Sequence, residues 1–423
     1  MRILRNFSAC AAIVIFGLNF VAASEADPAV KSSVNPGQPA PLLLISLDGF
    51  RWDYCDKFAR ETPHLRRLRH EGAYAHSLIS VFPSNTFADH YTIVTGLWPE
   101  HHGIINNIMY DAKTRKTFHY NQPASVHESA WWGGEPIWIT AVKQGYASAC
   151  YFWPGSEAEI EGARPTYWKN YDYSIPFEKR VEEVVGWLHA APSRRPRVIT
   201  FYLEETNSVG HAHGPNSPEM AKAVQLLDSR VGRLLARLAE EKIDPNVVIV
   251  SDHGMTDVRS ENHIPLDRYL DLSRVQIDFE GPVAGLRPKN GATVDEIMGK
   301  LQALPAGAHA YRTQDLPLRF HIGEASPRIP PIWVLPAEGG WAETRLRMVA
   351  LGLVLKGDHG YDPALPSMQG TLIVHGPAFR HDGAEIPSVD NVNVYNLLCA
   401  VAQLRPAPND GDERLTRAFC LNR

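Results

Sequence analysis

The chain is 423 residues long, 44% apolar and 21% charged, with a formal net charge of −5 at pH 7. That composition is ordinary for a globular protein and supports a full core in one large domain or two. The mild acidity argues against a basic surface for a nucleic-acid duplex, while leaving room for a small anionic substrate held by a local metal charge.

Arg2 and Arg5 precede an apolar run over residues 11–21, and Val21-Ala22-Ala23 offers small residues for cleavage. This is the pattern of a signal peptide over residues 1–23, too short for a comfortable membrane span, and it predicts a periplasmic or secreted protein. A retained amphipathic anchor is the alternative. Residues 24–40 are polar and Pro-rich and read as a disordered lead-in. Cys10 falls inside the signal, which leaves Cys55, Cys150, Cys399 and Cys420. An even number of cysteines in an exported chain permits disulfides. Cys399 and Cys420 flank a polar, Pro-rich loop and are the favoured pair, with Cys55 and Cys150 read as buried thiols. No C-x-x-C spacing is present, so a cysteine-held structural zinc is not expected.

Pro41 to Leu47 is an apolar run that stops at Asp48-Gly49. It reads as a strand buried on both faces, with Asp48 at its carboxyl end, where open α/β sheets place ligands. Taken singly, such an Asp is also an ordinary turn former. Thr62 and Pro63 open a helix as N-cap and first residue, and Gly72 closes it. The chain then reaches its central stretch, VFPSNTFADHYTIVTGLWPEHHGIINN, from Val81 to Asn107. A helix over Phe87 to Thr95 puts Thr86 near a helix N-terminus, which favours a developing anion; the plainer reading of Thr86 is an N-cap. A threonine hydroxyl is a poor nucleophile without help in losing its proton, and this stretch holds no lysine or cysteine to give it.

Trp131 to Gly145 reads as a helix behind a Gly-Gly turn, and Tyr151 to Gly155 ends a strand. The aromatics there, with Tyr167, Trp168 and Tyr171, serve a core or a pocket, and only Tyr167 is assigned to a site. Phe177 to Ala190 is helical in pattern, and Arg197 to Glu204 is a second buried strand running into Asn207 and His211, one helical turn apart. Ser217-Pro218 starts a long helix whose Val224, Leu227, Val231, Leu234, Leu235 and Leu238 form a packing stripe. Asn246 to Val250 is a third apolar strand, ending at Asp252-His253-Gly254. Residues from about 260 to 350 lose the strand–helix rhythm and read as an inserted subdomain covering one side of the site. Gly357-Asp358-His359-Gly360 follows, then a strand over Gly370 to Val374 and a last helix over Val392 to Ala402.

Three apolar strands thus end in Asp or Asn with His nearby: Asp48, Asn207 with His211, and Asp252 with His253; His359 adds a fourth loop. Nitrogen and oxygen ligands from distant segments, at one end of a predicted parallel sheet, are the chemistry of zinc, and enough are present for two ions. The motifs LISLDGFRWDY, the central stretch, FWPGSEAEIEGARPTYW, YLEETNSVGHAHGP, VSDHGM and GDHGYDP follow one another along the chain. Together they resemble the catalytic domain of the nucleotide pyrophosphatase/phosphodiesterase family, within the alkaline phosphatase superfamily.

The resemblance implies an α/β fold over residues 41–423: an alkaline-phosphatase-like α/β/α sandwich with a mostly parallel central sheet and a smaller inserted subdomain. It implies two Zn2+ ions, one held by Asp48, Thr86, Asp252 and His253, the other by Asn207, His211 and His359. Thr86 would be the nucleophile and form a covalent phosphoryl-threonine. Asn107 would donate a hydrogen bond to a phosphoryl oxygen, Phe87 and Tyr167 would sandwich a nucleobase, and Tyr202 would help close the pocket. The family carries Asp where this chain has Asn207, and a neutral amide oxygen is a weaker ligand. A weakened second site is therefore expected, with Glu204 or Glu205 as alternative anionic ligands. The implied function is an exported zinc phosphodiesterase that splits nucleotide diesters to nucleoside monophosphates. A choline-lipid diesterase or phosphomonoesterase on the same fold, and a metal-poor nucleotide-binding pseudoenzyme, are the alternatives.

Overall fold

The structure is a computed structural model that describes residues 39–323, 326–352 and 355–421. The expected signal peptide and nearly all of the lead-in lie outside the described residues.

Six apolar or small residues in a row, Leu42–Leu47, form β1, buried at every position. Leu42 and Leu44 join one core cluster, and Leu43, Ile45 and Leu47 join a second. Successive side chains of a strand point to opposite faces, so both sets are buried only when layers cover both sides of the sheet. With β2 (Ala73–Ile79), β3 (Ala147–Tyr151), β4 (Tyr167–Lys169), β5 (Pro196–Leu203), β6 (Asn246–Val250) and β7 (Gly370–His375), β1 builds most of a nine-stranded sheet. Its spatial order is β2-β7-β6-β1-β5-β3-β4. The run from β6 to β4 is parallel, and β7 is antiparallel to both its neighbours. The result is the mostly parallel α/β sandwich that the motifs imply.

The helices cover the sheet through their apolar faces. α1 (Pro63–Glu71) begins where expected, but Thr62 does not cap it: its hydroxyl donates to the carbonyls of Cys55 and Phe58. The carboxylate of Asp228, far along the chain, accepts from His64 N at 3.1 Å and Leu65 N at 2.7 Å instead. α2 (Thr86–Thr95) and α3 (Glu205–His213) carry site residues, and α4 (Pro218–Glu240) buries Val224, Leu227, Val231, Leu234 and Leu238. Ser217 caps α4 by accepting from Met220 N at 3.1 Å. The helix expected over Trp131–Gly145 is confined to Ile137–Lys143. Gly134, at φ 76°, and the N-cap Pro136 separate it from the short turn Ser129–Trp131. The helix expected to be last, α5 (Val394–Val401), starts later than expected, behind a turn over Asn391–Asn393, and a further helix follows over Arg414–Phe419.

The segment that loses its rhythm has regular structure after all. Val275–Phe279, Ala284–Pro288, Ile332–Leu335 and His309–Arg312 pair as a four-stranded antiparallel sheet. The helix Val294–Leu301 covers it, and Leu286, Ile297, Leu301, Ile332 and Val334 form a separate core. Strands this short, set among Pro-rich connections, leave too few alternations to read. Phe320 fastens this lobe to the main body by stacking on Phe82 at 3.8 Å, and Arg328 donates to the carbonyls of Gly103 and Trp131, both at 2.7 Å.

The expected Cys399–Cys420 disulfide is not formed, nor does any other join the described cysteines. Cys399 sits wholly inside the core on α5, where burial pushes its thiol up to about 12. Cys420 lies at the margin, its backbone bridged to Phe379. Among the described residues no helix is long and apolar enough to cross a membrane.

Candidate active site

The register of the parallel strands brings the site together. Ser46 of β1 lies level with Tyr202 of β5 and Val250 of β6, so the residues just beyond these strands emerge at one edge. Gly49, at φ 68°, turns the chain after β1, and a side chain there would begin 3.0 Å from the Asn207 backbone. Gly254 follows His253 at a point where a Cβ would lie 2.1 Å from the Ser367 carbonyl. Both glycines permit a close approach that no other residue allows.

Asp48, Asp252 and His253 form one fully buried group of potential metal ligands. Asp48 Oδ2 accepts from the Tyr202 hydroxyl at 2.5 Å, and Asp252 Oδ1 from Gly49 N at 3.1 Å. Their other oxygens, Asp48 Oδ1 and Asp252 Oδ2, are buried without a hydrogen bond, although His253 Nε2 stands 3.5 and 3.1 Å away. Thr86 is the first residue of α2, and its Oγ1 lies 3.2 Å from the same Nε2. The N-cap is Asn85, so Thr86 is free of the capping role that was its plainer reading.

His211, Asp358 and His359 form a second group. Asn207, one turn before His211 on α3, lines the same cavity, and its Oδ1 is also buried without a hydrogen bond. All three imidazoles are oriented alike. Nδ1 of His253, His211 and His359 points at the carbonyls of Gly254, Gly357 and Ser84, at 2.9, 3.0 and 2.8 Å. A ring that donates through Nδ1 leaves Nε2 as the ligating atom.

Burial, reinforced by the charge of Asp252, pushes Asp48 up to about 7. Against the cost of its own burial, the charge of Asp252 drives His253 up to about 10. Both shifts express an excess of buried negative charge, the condition a divalent cation relieves. The residues therefore fit the two zinc ions that the family resemblance implies: unpartnered buried oxygens, free Nε2 atoms, and a nitrogen and oxygen donor set suited to zinc.

Asp48 of the first group and His211 and His359 of the second line a cavity of about 610 Å³. Thr86, Asn107 and Tyr202 line it too. Asn107 Oδ1 accepts from Phe87 N at 3.0 Å, which turns its NH2 group to the cavity as a donor. The lining is also aromatic, with Phe87, Tyr120, Phe152 and Tyr171. Tyr167 is not part of it. Its ring stacks on Trp187 at 5.7 Å, under the guanidinium of Arg194, because β4 turns that side chain towards another helical layer. Tyr171, beyond the end of β4, takes the place expected of Tyr167.

Other expectations also change. Among the described residues, none of the inserted lobe lines the cavity; the lobe packs behind the loop that leads to Thr86. Glu205 is engaged by Arg230 and Tyr173, so it is no substitute ligand, whereas Glu204 lines the cavity and holds the Tyr171 hydroxyl. The sequence reading also missed His90, buried one turn after Thr86. Its ring lies 2.7 Å from both the Thr86 carbonyl and Ser46 Oγ, and 3.2 Å from Asp252 Oδ2. The four-residue spacing from Thr86 was the available signal.

An α/β/α sandwich with ligand clusters at the carboxyl ends of its parallel strands defines an alkaline-phosphatase-like protein. More narrowly, the chain belongs to the type I phosphodiesterase/nucleotide pyrophosphatase family, whose profile matches residues 42–362. It is 38% identical over 387 residues to a venom phosphodiesterase of Crotalus durissus collilineatus, covering 88% of this chain and 46% of the relative. Human ectonucleotide pyrophosphatase/phosphodiesterase family member 1 is also 38% identical, over 88% of this chain and 41% of its own. The chain thus spans less than half the length of these relatives. Murine ectonucleotide pyrophosphatase/phosphodiesterase 5, in an inactive threonine-to-alanine variant in complex with AMP, superposes with a TM-score of 0.84 at 33% identity. That match covers 91% of this chain and 100% of the murine one.

Proposed function

We propose that this protein hydrolyses nucleotide phosphodiesters to nucleoside monophosphates, with Thr86 as nucleophile. The observation that carries the proposal is the position of Thr86 Oγ1. It opens α2 beside His253 Nε2 of the first ligand group and lines the same partly aromatic cavity as Asp48, His211 and His359. The AMP complex of the murine relative supports a nucleotide ligand.

Asp48, Asp252 and His253, with Thr86, would hold one zinc ion, and His211, His359 and Asn207 a second. When bound, such ions would screen the charge of the diester and favour ionised Thr86. Thr86 Oγ1 attacks phosphorus, the bond from phosphorus to the departing oxygen breaks, and the threonine proton leaves with that oxygen, giving a phosphoryl-threonine. Water then adds to phosphorus, the threonine ester bond breaks, and Thr86 recovers its proton. The NH2 of Asn107 donates to a phosphoryl oxygen, and the N-terminus of α2 favours the negative charge developing on Thr86. Phe87 and Tyr171 offer the faces that hold the base.

The Arg-led apolar segment at the N-terminus supports export to the periplasm or medium, as do the venom and ecto-enzyme names of the relatives. Asn207 favours one other reading, a metal-poor pseudoenzyme that binds nucleotide without turnover. Acid quenching during turnover of a nucleotide p-nitrophenyl ester, followed by peptide mass analysis, separates the two. Phosphate on Thr86 is expected; release of product with no labelled threonine refutes the nucleophile, and binding with no product supports the pseudoenzyme.

A further inference from the structure

The two cation pockets differ in charge. Asp48 and Asp252 bring two carboxylates to the first. In the second, His211 and His359 are neutral donors and Asn207 offers an amide oxygen, so the ligands facing the cavity carry no formal charge. Glu205 is turned away to Arg230 and Tyr173, and the Glu204 carboxylate is taken by the Tyr171 hydroxyl.

The carboxylate grouped with both imidazoles is Asp358, whose ligand atom lies within 4.8 Å of theirs. Its Oδ1 stands 3.7 Å from His211 Nδ1 and accepts from His359 N at 2.9 Å. Its Oδ2 accepts from Trp341 Nε1 at 2.8 Å. Asp358 is therefore locked behind the His211 ring, on the Nδ1 side, with Nε2 left for the cavity. The Nδ1 proton itself goes to the Gly357 carbonyl at 3.0 Å, so the carboxylate acts on the ring by its field.

We propose that Asp358 is a positioning residue that supplies the His211–His359 pocket with the negative charge Asn207 lacks, allowing a neutral ligand set to hold a divalent cation. The inference rests on the two-cation reading of the site. Carboxylates behind ligating imidazoles raise their basicity, and losing one typically costs ten- to a hundredfold in metal affinity.

Equilibrium dialysis of the whole chain against buffered free zinc tests this without reference to turnover. One tight and one weaker ion are expected. Asp358→Asn should weaken the second by about tenfold and leave the first unchanged. Adding Asn207→Asp should recover the loss, since the charge returns from the cavity side. Asn207→Asp alone should tighten the second ion by about tenfold, and it carries the test should the Asp358 variant not fold. Unchanged affinity in the single variants overturns the proposal. So does a folded double variant no better than Asp358→Asn, because a purely structural Asp358 would not be rescued by charge. If the unaltered chain binds no zinc, the two-cation reading itself fails; two bound ions indifferent to residue 358 sink this inference alone.

Discussion

The two ends of the cavity are built by different means. At the polar end, most donors are buried. Asp48 and Asp252 follow buried strands, Asn207 and His211 share one face of α3, Thr86 opens α2, and the imidazoles of His253, His211 and His359 are pinned through Nδ1 to main-chain carbonyls. At the aromatic end, only Phe87 lies on a helix or strand. Tyr120 and Phe152 stand just past strand ends, Phe152 at φ 65°, and Tyr171 is 48% exposed beyond β4. The contrast is one of burial, and under the proposed function a buried frame would position the reacting atoms while a more exposed wall would select what lies against it.

The largest effect should come from the polar end. Thr86→Ala is expected to lower turnover of nucleotide diesters by at least about a thousandfold while nucleotide still binds. Zinc chelation should abolish turnover reversibly in the unaltered chain. Stopped-flow rates beside equilibrium binding of AMP would show both; steady turnover by the alanine variant breaks the assignment.

The inserted lobe should stand apart from both ends. Leu286 is fully buried in its separate core, and Leu286→Ala should cost about 3 kcal/mol of stability through the cavity it leaves. Chemical denaturation would measure the loss. The Michaelis constant at a temperature where the variant remains folded should not move, and a tenfold rise would place the lobe in the site.

At the aromatic end, Tyr171→Ala should raise the Michaelis constant for nucleotide esters by about tenfold, the scale of one lost base stack. Tyr167→Ala, on the far side of β4, should leave it nearly unchanged. Equal effects from the two tyrosines would erase the distinction drawn between them.

A further effect concerns the support beneath the site. His102 is buried, and its Nδ1 accepts from Ile104 N at 3.1 Å, which leaves Nε2 to donate to Thr92 Oγ1 at 2.9 Å. Burial pulls this imidazole from 6.5 down to about 3. The folded state thus holds the neutral ring, and its contribution is fully present above 6.5 and lost as pH falls towards 3. In urea titrations below pH 6.5, His102→Gln should remove a slope of about 1.4 kcal/mol per pH unit. An unchanged acid limb would show that His102 is not held neutral.

The polar end was largely legible in the sequence because its signals are local. An apolar run that stops at an Asp marks a strand end, and a four-residue spacing marks one face of a helix. The long stripe of α4 was legible for the same reason. Where the reading failed, contacts between distant segments decided the outcome. Asp228 caps α1 in place of Thr62, and Cys399 faces the core where a disulfide was expected. Four short strands escaped notice in the inserted lobe because each is only four or five residues long and the segments between them are rich in proline.

The sequence alone determined the parallel frame, the chemistry gathered at its edge and the threonine at the start of α2, because each follows from patterns only a few residues long. Tertiary structure alone decided that Tyr171 and not Tyr167 faces the cavity, that Asp358 stands behind His211, and that Glu205 is spent on Arg230. Those outcomes depend on which side chains from remote segments meet, and no local periodicity encodes that meeting.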